Sequence, residues 1–255
     1  MACRAPEDGE FPPRIAATLA ALRMRQPRIH AITSPVAQNL TANGLLALGA
    51  IPSLTINAGE TGDFIRAADA VLLNLGMLDP ARTDVLPIAA ECAARLGKPF
   101  VVDPVFAERS APRRALAEAL FAEGPGIVKL NPREAEAFAG KLPVSAVQVV
   151  TGPVDEIHCG TRMARLSNGH PLLAQVTATG CLLGAILATC LVVEDDPFVA
   201  AIAGVSFLNV AAEIAAIGAE GPGSFAVRLI DALAGLDADA LHLHLKLESF
   251  HDDPP

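Results

Sequence analysis

Between Asn168 and Leu183 the sequence reads NGHPLLAQVTATGCLL, with Thr177-Ala178-Thr179-Gly180-Cys181 leading into an apolar run from Cys181 to Val193. Small, hydroxyl-bearing and glycine residues followed by such a run predict a loop that opens a buried helix. The first N–H groups of a helix have no partner within it, and the helix dipole adds partial positive charge at the same end, so the segment is suited to an anion such as phosphate. A cysteine in the first turn would have its thiolate favoured by that field. Phosphoryl transfer to an alcohol depends on this kind of positioning and charge stabilisation. The same residues equally fit a plain helix start carrying a buried structural cysteine.

Other polar groups fall at the ends of short apolar runs. Phe100–Val102 ends in Asp103-Pro104, Ile127–Leu130 in Asn131-Pro132-Arg133-Glu134, and Val147–Val150 in Thr151-Gly152-Pro153. Singly, Asp103 reads as a turn former before proline, and Asn131 with Glu134 as an ordinary capping box. Together on one sheet edge they read as a Mg²⁺-nucleotide site, with carboxylates for the metal, a hydroxyl near phosphate and glycine for close approach. A further polar block, His30 to Gly44, holds Asn39 and Asn43 four residues apart on one helix face. Those amides suit a polar ligand, a subunit contact or nearby backbone groups.

The elements that must position these residues alternate. Strands are expected at Arg28–Ile32, Ser53–Ile56, Ala70–Leu73, Phe100–Val102, Ile127–Leu130 and Val147–Val150, and helices at about 35–49, 60–68, 80–96, 110–122 and 132–139. Strands bare of polar residues between helices imply an α/β fold with a mostly parallel sheet covered on both faces. Beyond Val150, a hairpin turns at Cys159–Arg162, and helical stretches follow at roughly 179–194, 197–218 and 224–235. Leu241–Leu247 alternates with a strand period and is read as a tail or edge segment. Its His242 and His244 are read as facing solvent. One domain is expected over 1–255, with flexible tails at 1–12 and 248–255.

Composition narrows the function. The 255 residues are 52% hydrophobic, enough for one large core. A net charge of −9, with no Trp or Tyr, supplies neither a basic stripe nor a stacking platform for nucleic acid. The five cysteines are odd in number and form no CxxC pair, which suggests reduced thiols rather than disulfides or zinc. The opening MACRAPEDGEFPPR has no apolar signal core, and the Cys181–Val193 run is shorter than the ~20 residues a bilayer requires. A cytoplasmic protein without membrane or nucleic-acid partners is expected.

Six stretches together resemble the hydroxyethylthiazole kinase family of the ribokinase-like superfamily. They are ITSPVAQNLTANGLLALGA (32–50), NLGMLD (74–79), GKPFVVDPV (97–105), VTGPVDEI (150–157), NGHPLLAQVTATGCLLGA (168–185) and GPGSF (221–225). The resemblance implies a ribokinase-like three-layer sandwich that phosphorylates the primary alcohol of 4-methyl-5-(2-hydroxyethyl)thiazole with ATP and Mg²⁺, in thiamine salvage. It implies Cys181 as the catalytic residue, at an anion hole formed by Ala178, Thr179 and Gly180. By position, Arg113, Thr151 and Asn131 match ATP-binding residues, with Arg109 and Arg114 as alternatives to Arg113. Leu54, Ala178, Ser34 and Asn39 fall at the thiazole, and Asp103 and Glu134 near the metal. A homotrimer with active sites between subunits is also implied.

The chain departs from that pattern at several points. Phe106-Ala107-Glu108-Arg109 stands where the family has a glycine-rich loop, ATGC replaces GTGC, and Ser34 and Leu54 replace Asn and Met. Only a short link, Gly140–Ala146, follows the Asn131 helix, which would leave one sheet face less covered. These changes keep two other readings in view: a kinase for another small heteroaromatic alcohol, and a non-catalytic nucleotide- or thiazole-binding protein.

Overall fold

The computed structural model describes residues 11–251. Among the described residues nine strands form one sheet: β1 (Arg28–Ile32), β2 (Ile51–Ser53), β3 (Ala70–Asn74), β4 (Phe100–Asp103), β5 (Ile127–Leu130), β6 (Val147–Val150), β7 (Asp155–Cys159), β8 (Arg162–Leu166) and β9 (Leu247–His251). Their spatial order is β2-β1-β3-β4-β5-β6-β7-β8-β9. The first six run parallel, and β6 to β9 pair antiparallel. Helices cover both faces. The apolar faces of α1 (Phe11–Arg25), α2 (Pro35–Leu48), α7 (Thr179–Val193), α8 (Pro197–Ala216), α9 (Pro222–Gly235) and α10 (Ala238–His244) share one core. Those of α3 (Ala58–Ala67), α4 (Pro80–Arg95) and α5 (Ala111–Ala122), with residues at and just beyond α6 (Pro132–Ala137), share the other. The expected α/β sandwich is therefore present.

The strand alternation decides which polar groups meet. In β3, Ala70 and Leu72 face the α7 core while Val71 and Leu73 face the other, and β4 and β5 alternate in the same way. Asn74, Asp103 and Lys129 therefore point from the strand ends toward α7. That helix is buried on nearly every side along its first three turns. Gly180 and Gly184, one turn apart, let it approach the sheet. A Cβ at Gly184 would lie 2.9 Å from Leu72 Cδ1, and one at Gly180 would lie 3.2 Å from Lys129 Nζ.

Several expectations need correction. Strand β2 ends at Ser53, so Leu54 lies just beyond its C-terminal end. The strands are not bare of polar residues, because β5 carries Lys129 and β1 carries His30, both buried. Leu241–Leu247 is not one extended segment: residues 238–244 form a helix capped by Asp237, and the strand starts at Leu247. The supposed tails are partly structured as well. Phe11 is buried at the start of α1, and residues 247–251 pair with β8; residues 1–10 and 252–255 lie outside the described set. The short link after α6 leaves no bare face there, since Phe138 and Ala146 are buried in the second core.

Candidate active site

Four neighbouring strands place polar groups in a row at their carboxyl ends, where open parallel sheets bind ligands. Thr33, just past β1, donates from Oγ1 to Asn74 Oδ1 at 3.4 Å. Asn74 Nδ2 donates to Asp103 Oδ2 at 2.8 Å, and Lys129 Nζ donates to both Asp103 oxygens at 3.2 Å. Asn74 Oδ1 also accepts from the Gly76 N–H, which ties the Gly76 loop to the row.

The first turn of α7 ends above this row. Leu182 N–H makes the first helical bond, to Ala178 O, so the preceding N–H groups have no helical partner. Ala178 sits at the N-cap in left-handed conformation, at φ 73° and ψ 3°. Thr179 Oγ1 donates to Leu173 O at 2.9 Å and steadies the approach to the helix. Cys181 Sγ accepts from Asn74 Nδ2 at 3.4 Å. The thiolate is nevertheless not favoured. Burial and the Asp103 charge push the thiol above its ordinary range, outweighing Lys129 and the hydrogen bonds of Thr33 and Asn74. The helix field anticipated from sequence is overcome because Cys181 is desolvated and faces a carboxylate.

Beside α7 opens a cavity of about 590 Å³, lined by Thr151, Gly152, Asp155, Asn168, Thr179, Gly180 and neighbouring residues. Part of its lining is a polar network. Asn209 Nδ2 donates to Asp155 Oδ2 at 2.6 Å and to Asn168 O at 3.0 Å, and Gly152 N–H donates to Asp155 Oδ1 at 2.8 Å. These bonds fix the Gly152 and Asn168-Gly169 turns on either side of the opening.

Asn131 and Glu134 make a complete capping box: Asn131 Oδ1 accepts from the Arg133 and Glu134 N–H groups, and Glu134 Oε2 from the Asn131 N–H. Glu134 Oε1 also accepts from Phe106 N–H at 2.8 Å, so its carboxylate clamps the 106–109 segment to α6. Burial raises the Glu134 pKa despite those two donors. Residues 107–109 form a 3₁₀ turn, and Phe106 is held at φ 60°. The nearby arginines are engaged with this segment. Arg113 Nη1 donates to Val105 O, Arg114 Nη2 to Glu108 O, and Arg109 Nε to Glu108 Oε1 while stacking on Phe106. None of the three lines the cavity.

The predicted residues thus divide. Cys181, Thr179, Gly180 and Asp103 converge at the α7 N-terminus, and Thr151 lines the adjoining cavity. Ser34 is buried at the start of α2, near Gly76. Leu54 is half-buried beyond β2. Asn39 is exposed, and its O and Oδ1 both accept from Asn43 Nδ2, a local arrangement within the helix. Thr33, Asn74 and Lys129 escaped notice as site residues. Thr33 and Asn74 lie inside stretches that carry the resemblance. Lys129 had a signal of its own, a lysine in the otherwise apolar strand Ile127-Val128-Lys129-Leu130.

Among the described residues no group of three or more His, Cys, Asp or Glu side chains is arranged to hold a metal ion. Asp103 and Glu134 offer hard carboxylate oxygens that also accept hydrogen bonds from Asn74, Lys129, Phe106 and Asn131. Oxygen donors of this kind fit a hard divalent cation such as Mg²⁺.

The Hydroxyethylthiazole kinase family model matches residues 19–143 and 135–239. A probable hydroxyethylthiazole kinase of Agrobacterium fabrum is 39% identical over 242 residues, covering 94% of this chain and 98% of that protein. The hydroxyethylthiazole kinase of Granulibacter bethesdensis is 37% identical over 247 residues, covering 88% and 90%. The solved hydroxyethylthiazole kinase structure from Pyrococcus horikoshii OT3 superposes with a TM-score of 0.90 at 34% identity, covering 94% of this chain and 100% of that one. The pyridoxal kinase of Staphylococcus aureus, at 13% identity and a TM-score of 0.59, shares the fold. This chain belongs to the hydroxyethylthiazole kinase family.

Proposed function

We propose that the protein transfers the γ-phosphoryl group of ATP to the primary alcohol of 4-methyl-5-(2-hydroxyethyl)thiazole, in thiamine salvage. The observation that carries this reading is the meeting of Cys181 and the open first turn of α7 with the Asn74–Asp103–Lys129 row beside a nucleotide-sized cavity. ATP occupies that cavity, with Thr151 and Gly152 on one wall and its phosphates toward Thr179 and Gly180. The N–H groups of residues 179–181 hold the transferring group, a stabilisation that acts where charge develops. Cys181 meets the acceptor hydroxyl as a neutral thiol and orients it. In a loose transition state the alcohol proton leaves late, so a strong base is not required. Asp103 and Glu134 would hold Mg²⁺, directly or through water, and the metal would supply charge neutralisation to the phosphates.

The acceptor pocket lies on the α2 and β2 side, toward Ser34, Asn39, Leu54 and Ala178, and is completed by a second subunit of a homotrimer. The exposed apolar side chains Val36, Leu46 and Ile51 on α2 and β2 support that arrangement. A cytoplasmic location accords with the free cysteines at 92, 159, 181 and 190. The test is mass-spectrometric detection of phosphorylated hydroxyethylthiazole after incubation with the alcohol, ATP and Mg²⁺. Product dependent on enzyme and metal is the expected result. ATP binding without product would favour another acceptor alcohol.

A further inference from the structure

We infer that Met77 and Phe106 determine acceptor specificity, contacting the heteroaromatic ring of the alcohol at the carboxyl ends of β3 and β4. The inference rests on the kinase reading above and names the residues that select the ring. Asn74 and Asp103 are direct partners in the β3–β4 register. Met77 and Phe106 stand three residues beyond them, at matching places in neighbouring loops. Both hold left-handed backbone, at φ 48° and 60°, where bulky side chains are rarely found. Both also leave large apolar side chains open to solvent, 56% and 50% exposed. Burial therefore gives little reason for either residue, and the loops serve to present these side chains.

Arginines lock the two loops in the same way. Arg82, buried in α4, donates from Nη1 to Gly76 O at 2.8 Å, and Arg113 of α5 donates from Nη1 to Val105 O at 2.6 Å. Each arginine fixes the carbonyl immediately before the left-handed residue. Phe106 has two further ties: its N–H donates to Glu134 Oε1, and Arg109 lies 5.0 Å over one face of its ring. An uncommon backbone conformation persists only where its surroundings over-determine it, and such places cluster at ligand sites. Their location fits the acceptor. A Cβ on Gly76 would lie 3.9 Å from both Ser34 Cβ and Val105 Cγ1. The segments following β1, β3 and β4 therefore meet there, and Met77 and Phe106 each come one residue later. Cys181 Sγ, 3.4 Å from Asn74 Nδ2, marks the hydroxyl end of the acceptor. The two-carbon arm then leaves the ring just outside the strand ends, level with these loops. An aromatic face and a thioether suit a flat heterocycle better than a sugar or an aliphatic polyol.

The chain has no Trp or Tyr, so Phe106→Trp supplies a lone fluorophore at this place. Titration of that variant with hydroxyethylthiazole should give a saturable blue shift of its emission. Phe106→Gly and Met77→Ala should each raise the KM and the calorimetric Kd for the alcohol about fivefold, with kcat and KM for ATP within about twofold of wild type. Phe106→Trp keeps an aromatic ring and should retain the wild-type KM. Phe106→Gly preserves the N–H donated to Glu134 and suits the left-handed backbone, so its thermal unfolding should show a folded protein. Emission unmoved by the alcohol, or wild-type affinity in both truncations, overturns the assignment. A spectral shift that follows protein dilution instead of the alcohol assigns the pair to a subunit contact and overturns it equally. Product formation by the wild type is scored separately. Product beside a silent Phe106→Trp variant sinks this inference and leaves the kinase reading standing. A saturable shift without product supports the ring contact and overturns phosphoryl transfer to this alcohol.

Discussion

At Cys181, burial and the Asp103 carboxylate set the protonation state against the field of the helix end. The cysteine's position after Thr-Gly at the start of an apolar helix was legible, but its protonation depends on Asp103 and Asn74, which come from other strands. Because burial holds the thiol above the usual range, alkylation of Cys181 by iodoacetamide at pH 7 should be slower than that of an exposed cysteine. Cys181→Ser should lower kcat by about 10- to 100-fold while the calorimetric Kd for ATP stays within about threefold; equal losses in both would remove Cys181 from the chemistry. His30 carries a second residue-scale consequence. It is buried in β1, with Nδ1 on Ser53 Oγ and no partner for Nε2 among the described residues. Burial lowers its pKa to about 4, against the weaker pull of Glu60. The unfolded chain binds the proton first as pH falls, so this stability is intact above the ordinary histidine value of ~6.5 and is lost as pH drops toward the folded value. About 2 kcal/mol should disappear between pH 7.5 and pH 5. Urea unfolding at the two pH values, compared with His30→Leu, isolates this part; parallel losses in both proteins would refute it.

At the scale of elements, α7 is the piece on which the site depends. Its start, its burial and its glycines were readable because a run of apolar residues after ATG leaves few alternatives. What could not be read was the face it presents. Gly180 and Gly184 matter through their contacts with Lys129, Leu72 and Asp103, which sequence spacing alone does not reveal. The same limit explains α1 and the final strand. Phe11, Ile15, Leu19 and Leu22 make a helical stripe that was passed over beside a Pro-rich start, and a short alternation at 241–247 imitated a strand. The N-cap of α7 offers a direct experiment. Ala178 holds φ 73°, a region that costs a residue with a Cβ about 1–2 kcal/mol. Ala178→Gly relieves this strain but adds entropy to the unfolded chain, for a net gain of about 0.5–1 kcal/mol. Thermal unfolding should therefore show a modest rise in Tm. A fall would mean that the Ala178 methyl group contributes packing that outweighs its backbone strain.

For the whole molecule, the two ends of the sheet behave differently. At one end β9 is an edge strand next to the antiparallel hairpin of β7 and β8. At the other, β2 has three residues and, among the described residues, a single neighbour; Ile51 is exposed there, as are Leu46 and Val36 on α2. A parallel sheet normally hides its apolar residues, and short edges are one way proteins limit unwanted pairing. Exposed apolar groups grouped at such an edge need a covering surface, and the proposed acceptor residues Ser34, Asn39 and Leu54 sit around that same edge. A second subunit placed there would bury the patch and close the proposed acceptor pocket in one step, whereas the cavity proposed for ATP is walled by Thr151, Asp155 and Asn209 of one chain. On the proposed homotrimer, light scattering on the purified protein should give three times the mass of a single chain. Replacing Ile51 and Leu46 with aspartate should dissociate it, raising KM for the acceptor at least tenfold while the Kd for ATP stays close to wild type. A protein that is monomeric at micromolar concentration with full activity would show that each chain completes its acceptor pocket alone.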